Sequence, residues 1–323
     1  MALIELNDVH FTYTGRKAEA LCGVSLPFHK GETVFLLGAS GSGKSTLALC
    51  LNGLIPHTNV GMFRGTVTIA GYETHTTPIS TLSQQVGMVF QDPDAQSIMM
   101  TVEEEVAFGL ENLCVPPHEM EERITLALSQ MGLNDVRDAP VERLSGGYKQ
   151  RLAIACALAM RSRILVFDEP TANLDPVGTR EVFAAIKDLK RTGLSTIVLI
   201  EHKLDDLLDL IDRVVVLAPG GKVLVEGDPH VVFGEHAELL MEQGIWIPQV
   251  ALLGHRLRKA GWKLEPLPIT RNKAIDIWKH TPIKTSAFTG VPSPLMPLPA
   301  PVSSVGSAEL DEVALSVRHL SFR

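Results

Sequence analysis

Cysteine is scarce in this chain, and so are the spacings that would give it a metal or redox role. The four cysteines, Cys22, Cys50, Cys114 and Cys156, stand far apart with no CxxC pair. That excludes a zinc ribbon and a thioredoxin-like motif, and it suggests buried thiols in a reducing compartment. No apolar run approaches the ~20 residues that a bilayer-spanning helix needs, so any membrane connection is expected to run through a partner. "MALIELNDVHFTY" carries acidic residues and lacks a continuous apolar core, so it does not read as a secretory signal. A basic excess is also lacking. The net charge is -8, which disfavours nucleic acid as a partner.

What is present is enough apolar material for a sizeable core, 45% of 323 residues. That length exceeds one ordinary domain and suggests a large domain with a smaller appendage. "LIELNDVHFTY" and "GTVTIAGYE" (Gly65–Glu73) alternate with period two, as half-buried strands do. "ETVFLLG", "QVGMVFQ", "RILVFDEP" and "LSTIVLIEH" are continuous apolar runs, the pattern of strands covered on both faces. "RVVVLAPGGKVLVEG" reads as a hairpin turning at Pro219-Gly220-Gly221. Helical patterns lie between the runs, which defines an α/β fold with a helical insert between Gln91 and Asp168.

"LLGASGSGKST" follows one buried run and opens a helix. Its Gly38-x-x-x-x-Gly43-Lys44-Ser45 spacing is that of a phosphate-binding loop. The candidate cradle is Gly38, Ala39, Ser40, Gly41, Ser42, Gly43, Lys44, Ser45 and Thr46. Backbone N–H groups would face phosphate oxygens, Lys44 would reach the β- and γ-phosphates, and Ser45 would bind Mg²⁺. In "ILVFDEP", Asp168 and Glu169 close a second buried run. Asp168 would hold Mg²⁺ directly or through water, and Glu169 would act as general base on the attacking water.

"ERLSGGYKQRLAIACAL" resembles the signature of ATP-binding cassette ATPases, with Tyr148 where glutamine is usual. The resemblance covers about residues 3–230. It implies a phosphate-loop ATPase core with a mixed sheet, flanking helices, an antiparallel β subdomain and a helical subdomain at about 95–160. It implies ATP and Mg²⁺ as cofactors and a partner cassette whose γ-phosphate meets Ser145, Gly146 and Gly147. Tyr13 would stack on adenine, and Gln91 would lie near Mg²⁺ and water. Asp175 would contact the opposite subunit, and His202 would contact the γ-phosphate. The catalytic set is thus Lys44, Gln91, Glu169 and His202, and the metal set is Ser45, Gln91 and Asp168.

"FQDPDAQ…TVEEEVAFGLENL" resembles, more narrowly, the ATPases of energy-coupling factor importers, which take up vitamins, their precursors or transition metals. This implies a membrane scaffold protein whose coupling helix docks near Gln91–Gln96, a membrane substrate-binding subunit reached indirectly, and a place on the cytoplasmic face of the membrane. Soluble tandem cassettes of translation or DNA repair are rivals, as are tandem sugar-importer ATPases. Residues 231–281 form the expected appendage. Its Leu239, Leu240, Ile245, Trp246 and Trp262 could serve a subunit contact or the chain's own core. Residues 282–312 are rich in proline and serine and read as a linker. "VALSVRHLSFR" (313–323) repeats the pattern of the opening strand, so the chain is expected to carry the start of a second cassette.

Overall fold

The continuous apolar runs become the centre of a six-stranded sheet. The computed structural model describes residues 2–193, 195–201, 207–262 and 264–280, so His202, the linker 282–312 and the tail 313–323 lie outside the described residues. β3 (Thr33–Gly38), β6 (Val86–Val89), β7 (Ile164–Asp168) and β8 (Thr196–Ile200) are buried along their whole length. With β9 (Arg213–Ala218) and β10 (Lys222–Gly227) they take the order β10-β9-β3-β8-β7-β6. All pairings are parallel except the β9–β10 hairpin. Parallel strands need long crossovers, and those crossovers place cover on both faces.

The side chains of this sheet divide by parity between two cores. Phe35, Leu37, Leu165, Phe167, Ile197 and Leu199 enter one cluster. Val34, Leu36, Ile164, Val166, Val198 and Ile200 enter the other. The second core is closed by an antiparallel sheet of order β2-β1-β4-β5. It comprises β1 (Ala2–Tyr13), β2 (Leu21–His29), β4 (Gly61–Ile69) and β5 (Tyr72–Glu73). The period-two segment Gly65–Glu73 is therefore not one strand. Ala70 and Gly71 both have positive φ (50° and 90°) and turn the chain back on itself.

Between the strands lie α1 (Lys44–Leu51) and the single turns α2 (Leu54–His57) and α3 (Ile79–Leu82). The insert carries α4 (Val102–Asn112), α5 (Pro117–Gln130) and α6 (Gly146–Ala159). α4 starts at a capping box, in which Thr101 and Glu104 satisfy each other's backbone N–H groups. Arg137 pairs with Glu103 of α4 and Glu121 of α5, fixing the insert's outer face.

α7 (Pro176–Thr192) precedes β8, and α8 (Pro229–Glu235), α9 (Ala237–Glu242), α10 (Gln249–Lys259) and α11 (Arg271–His280) follow β10. The late helices share the first core: Phe233, Leu240, Ile245, Ile247, Ala251, Leu267 and Ile269 join the cluster that holds Val214 and Val216. Trp246 stands edge-on to Phe233 at 6.0 Å. Of the two uses open to the appendage's apolar residues, Leu240 and Ile245 serve the chain's own core. Leu239, Trp246 and Trp262 are half-buried. The described residues belong to one compact unit.

The expectation of buried thiols holds for Cys50 alone in full. Cys114 is exposed, and Cys22 and Cys156 are intermediate.

If the late helices are part of the core, Phe233→Ala, which empties a fully buried ring site, is expected to cost about 3–5 kcal/mol in urea unfolding. A loss under about 1 kcal/mol, within the range of surface substitutions and mild core changes, would contradict this packing.

Candidate functional site

The parallel register brings the chemistry to one edge. Leu36 of β3 and Asp168 of β7 both pair with Ile200 of β8, so β7 and β8 end together and β3 runs two residues further, to Gly38. In open α/β sheets the carboxyl ends of strands are where ligands bind. β3 runs directly into the glycine-rich loop, and that loop runs into α1.

The loop is shaped by what it excludes. A Cβ at Gly38 would lie 2.4 Å from Ser42 Oγ and 2.6 Å from Leu217 O. Gly43 has φ +95° and serves as the N-cap of α1, where a Cβ would meet Ala20 O at 2.3 Å. Glycine at this cap brings no side chain, so no side-chain hydrogen bond caps the helix. The first N–H groups of a helix have no partner within the helix and carry its positive end. Ser42 Oγ is buried without a hydrogen-bond partner in the same turn. A loop with open N–H groups and an unsatisfied buried hydroxyl fits a phosphate chain.

Lys44 is buried and donates to Gly38 O (3.0 Å) and Ala39 O (3.1 Å). Burial pulls its pKa down, against the opposing pull of Glu169 and Asp168. Ser45 Oγ donates to Asp168 Oδ1 at 3.2 Å. Burial pushes the Asp168 carboxyl up, partly offset by the Ser45 bond. Adjacent Glu169 raises it further, and Lys44 lowers it. A hydroxyl and a carboxylate in contact are hard oxygen donors, which suits Mg²⁺. Glu169 is held at φ +50°, a conformation that non-glycine residues rarely adopt, with its N–H on Ile200 O at 2.9 Å.

Tyr13, at the end of β1, donates to or accepts from Thr46 Oγ1 at 3.1 Å, which ties the antiparallel sheet to α1. Its ring stands edge-on to Phe11 at 4.8 Å, and the Arg16 guanidinium lies 5.9 Å from its centroid. An aromatic therefore sits beside the phosphate loop.

Ser145 is exposed and caps α6, accepting from Tyr148 N. The rest of the signature bonds to the insert and to the segment after β6. Lys149 pairs with Asp94, and Gln150 donates to Phe90 O at 3.2 Å. Gly147 allows close approach to α7, since a Cβ there would lie 3.1 Å from Gly178 Cα. Asp175 caps α7 through Gly178 N at 2.7 Å. Gln91 and Gly146 line one cavity of about 130 Å³ together with Asp92, Asp94 and Pro170.

The structure thus brings together Tyr13, the loop 38–46 and Asp168–Glu169, and it groups Gln91 with the signature. His202 lies outside the described residues. Sequence reasoning passed over Glu201. It is buried, and its Oε1 accepts from Thr171 N (2.9 Å) and Thr171 Oγ1 (2.6 Å), joining the end of β8 to the turn after Glu169. Its adjacency to His202 was the available signal.

A phosphate loop, a metal-ready carboxylate and a second exposed helix start define a nucleotide-hydrolysing cassette. Known proteins agree. The model of the ABC transporter family matches residues 21–172. PH1815 of Pyrococcus horikoshii, named as an ABC transporter ATP-binding protein, is 45% identical over 279 residues, covering 86% of this chain and 97% of its own. YkoD of Bacillus subtilis, named for HMP/thiamine import, is 41% identical over 79% of this chain but only 47% of its own length. Among solved structures, cbiO1 of Clostridium perfringens, part of the ABC transporter complex cbiONQ, superposes with TM-score 0.65 at 30% identity. It is matched over 80% of this chain and 99% of cbiO1. The dimeric MJ0796 cassette bound to ADP and Pi gives 0.60 at 28% identity, over 70% of this chain and 98% of that one. The chain belongs to the ATP-binding proteins of ABC transporters. It is an ATPase of that family, and no helix among the described residues is long and apolar enough to cross a membrane.

Gly43→Ala is expected to lower ATP affinity at least about tenfold in a fluorescent-nucleotide titration, through the positive φ and the clash with Ala20 O. Unchanged affinity would contradict the loop geometry.

Proposed function

We propose that this chain energises an importer of the energy-coupling factor type, working as one of two cassettes closed head to tail around ATP. The observation that carries the hydrolytic part is the meeting of Ser45 and Asp168, at 3.2 Å, with Glu169 next in sequence at the same strand end. Lys44 and the N–H groups of 38–46 bind and orient the phosphates. Ser45 and Asp168, with Gln91, would hold Mg²⁺, which supplies charge neutralisation for the phosphoryl group when bound. Glu169 accepts the proton of the attacking water, and the strained backbone at φ +50° sets the direction of its carboxylate. His202 takes the γ-phosphate contact. Tyr13 offers its ring to the adenine.

Ser145–Gly147 serve the nucleotide of the other cassette. Supporting this, Ser145 is exposed while its helix is anchored to the segment after Gln91 by Lys149–Asp94. Asp175 caps α7, whose Gly178 touches Gly147 of the signature, and it would meet the opposing subunit there. The second cassette is either another copy or the other half of a tandem protein. The match to 47% of YkoD's length supports the tandem form, as does the strand-like pattern of 313–323. In this reading 282–312 is the linker between cassettes.

The importer class rests on the likeness to cbiO1 and YkoD together with the "FQDPDAQ" segment. The membrane scaffold would dock near Gln91–Gln96, on the cytoplasmic face, and the substrate-binding subunit would be reached through it. Substrate is a vitamin, a vitamin precursor or a transition metal ion.

Glu169→Gln keeps size and hydrogen bonding but removes the base. It is expected to cut turnover by about 10²–10⁴-fold while ATP still drives pairing, read by phosphate release and light scattering. Near-normal turnover would overturn the assignment of the base, and loss of ATP binding would overturn the separation of its roles.

A further inference from the structure

A cluster outside the phosphate site has the chemistry of a metal centre. His10 lies on β1, Glu19 on the loop that follows, and Cys22 at the start of β2. One ligand atom from each lies within 4.8 Å of the others, and among the described residues this is the group of three so arranged. All three are half-buried, so the site is open to solution but shaped by the fold.

The imidazole is held between two carboxylates. His10 Nδ1 is 3.2 Å from Glu19 Oε2, and Nε2 is 3.2 Å from Asp8 Oδ1. A neutral imidazole has one N–H and one lone pair. With the hydrogen on Nε2, directed to Asp8, the Nδ1 lone pair faces the Glu19 carboxylate. Both carboxylates are satisfied at once either by a second ring proton or by a shared cation at Nδ1. The Cys22 thiol also hydrogen-bonds Glu19, so a cation at this point would take the place of the proton they share. Arg64 donates to the other Glu19 oxygen, Oε1, at 3.1 Å and leaves Oε2 turned toward His10.

We propose that His10 Nδ1, a Glu19 carboxylate oxygen and Cys22 Sγ bind one zinc-class divalent cation, with Asp8 orienting the imidazole from behind. Imidazole, thiolate and carboxylate together suit zinc, with a fourth position for water. They do not suit magnesium, which prefers oxygen donors, so the site is chemically distinct from the nucleotide's. The Asp8–His10 bond is the outer-shell arrangement that fixes the tautomer of a metal-bound histidine. Asp8, Glu19 and the thiolate outnumber the nearby cations, Arg64 and Lys222. On binding, the thiol proton goes to solvent and no electron is transferred.

The site's position gives it a consequence for the loop it closes. Ala20, between two of the ligands, packs its carbonyl against Gly43 and Gly221. Its N–H donates to Phe11 O at 2.7 Å. A cation joining His10 to Glu19 and Cys22 would pin this loop to β1 beside the last glycine of the phosphate loop.

The test uses the full chain, stripped with chelator, and cobalt(II) as a spectroscopic probe with zinc as competitor. The expected result is one cobalt per chain, a thiolate-to-cobalt charge-transfer band and displacement by zinc. Cys22→Ser should remove the band and weaken binding at least tenfold, with ATP affinity and circular dichroism retained. Cys114→Ser, at the exposed thiol, should leave the band unchanged. His10→Gln provides a second loss should the serine variant fail to fold, and Asp8→Asn should weaken binding by about 10–100-fold. Absence of stoichiometric cobalt, a band surviving Cys22→Ser, or a band lost with Cys114→Ser would overturn the proposal.

Discussion

Lys44 and Asp168 are buried close to one another at the end of the central sheet. Burial works against the charged form of both, downward for Lys44 and upward for Asp168. Lys44 spends its ammonium hydrogens on Gly38 O and Ala39 O, and Asp168 accepts from Ser45. An anionic phosphate chain beside Lys44 and a divalent cation beside Asp168 would relieve each cost. That balance suits the Mg²⁺–ATP pair proposed for the site.

The rest of the fold serves that placement. The β3–β8–β7 register aligns the strand ends, and the parity of their side chains fastens the sheet to two cores. Tyr13 couples the antiparallel sheet to α1, while Glu201 couples the end of β8 to Thr171. The Lys149–Asp94 pair and the Gln150–Phe90 bond connect the signature helix to the segment after β6. If the proposed scaffold docks near Gln91–Gln96, this connection is what would link it to the signature helix.

Much of this was legible in the sequence because the chemistry sits where patterns change. "ETVFLLG" and "RILVFDEP" announce doubly buried strands, and the loop and carboxylates follow at their ends. β2 was not legible. Gly23 and Pro27 interrupt its alternation, and proline is tolerated because β2 is an edge strand in the antiparallel sheet. The alternation of Thr66–Ile69 stops at Ala70–Gly71, and that break marks the turn. α8 is short and gains its stability from packing Val232 and Phe233 into the first core, which local periodicity does not report. The exposure of Cys114 depends on a loop after α4 that spacing alone does not position. His10, Glu19 and Cys22 meet only through the β1–β2 pairing, so no sequence motif marks them.

The proposed head-to-tail pairing has each signature complete the site of the opposite cassette. It is tested most directly by mixing two variants of this chain, Lys44→Ala and Ser145→Arg. Each alone is expected to hydrolyse no ATP, because every pair it forms carries the same defect in both sites. Mixed pairs hold one site with an intact phosphate loop facing an intact signature, so the mixture is expected to regain hydrolysis. Full turnover by Ser145→Arg alone, or a mixture that stays inactive although both variants fold and pair, would contradict the head-to-tail arrangement.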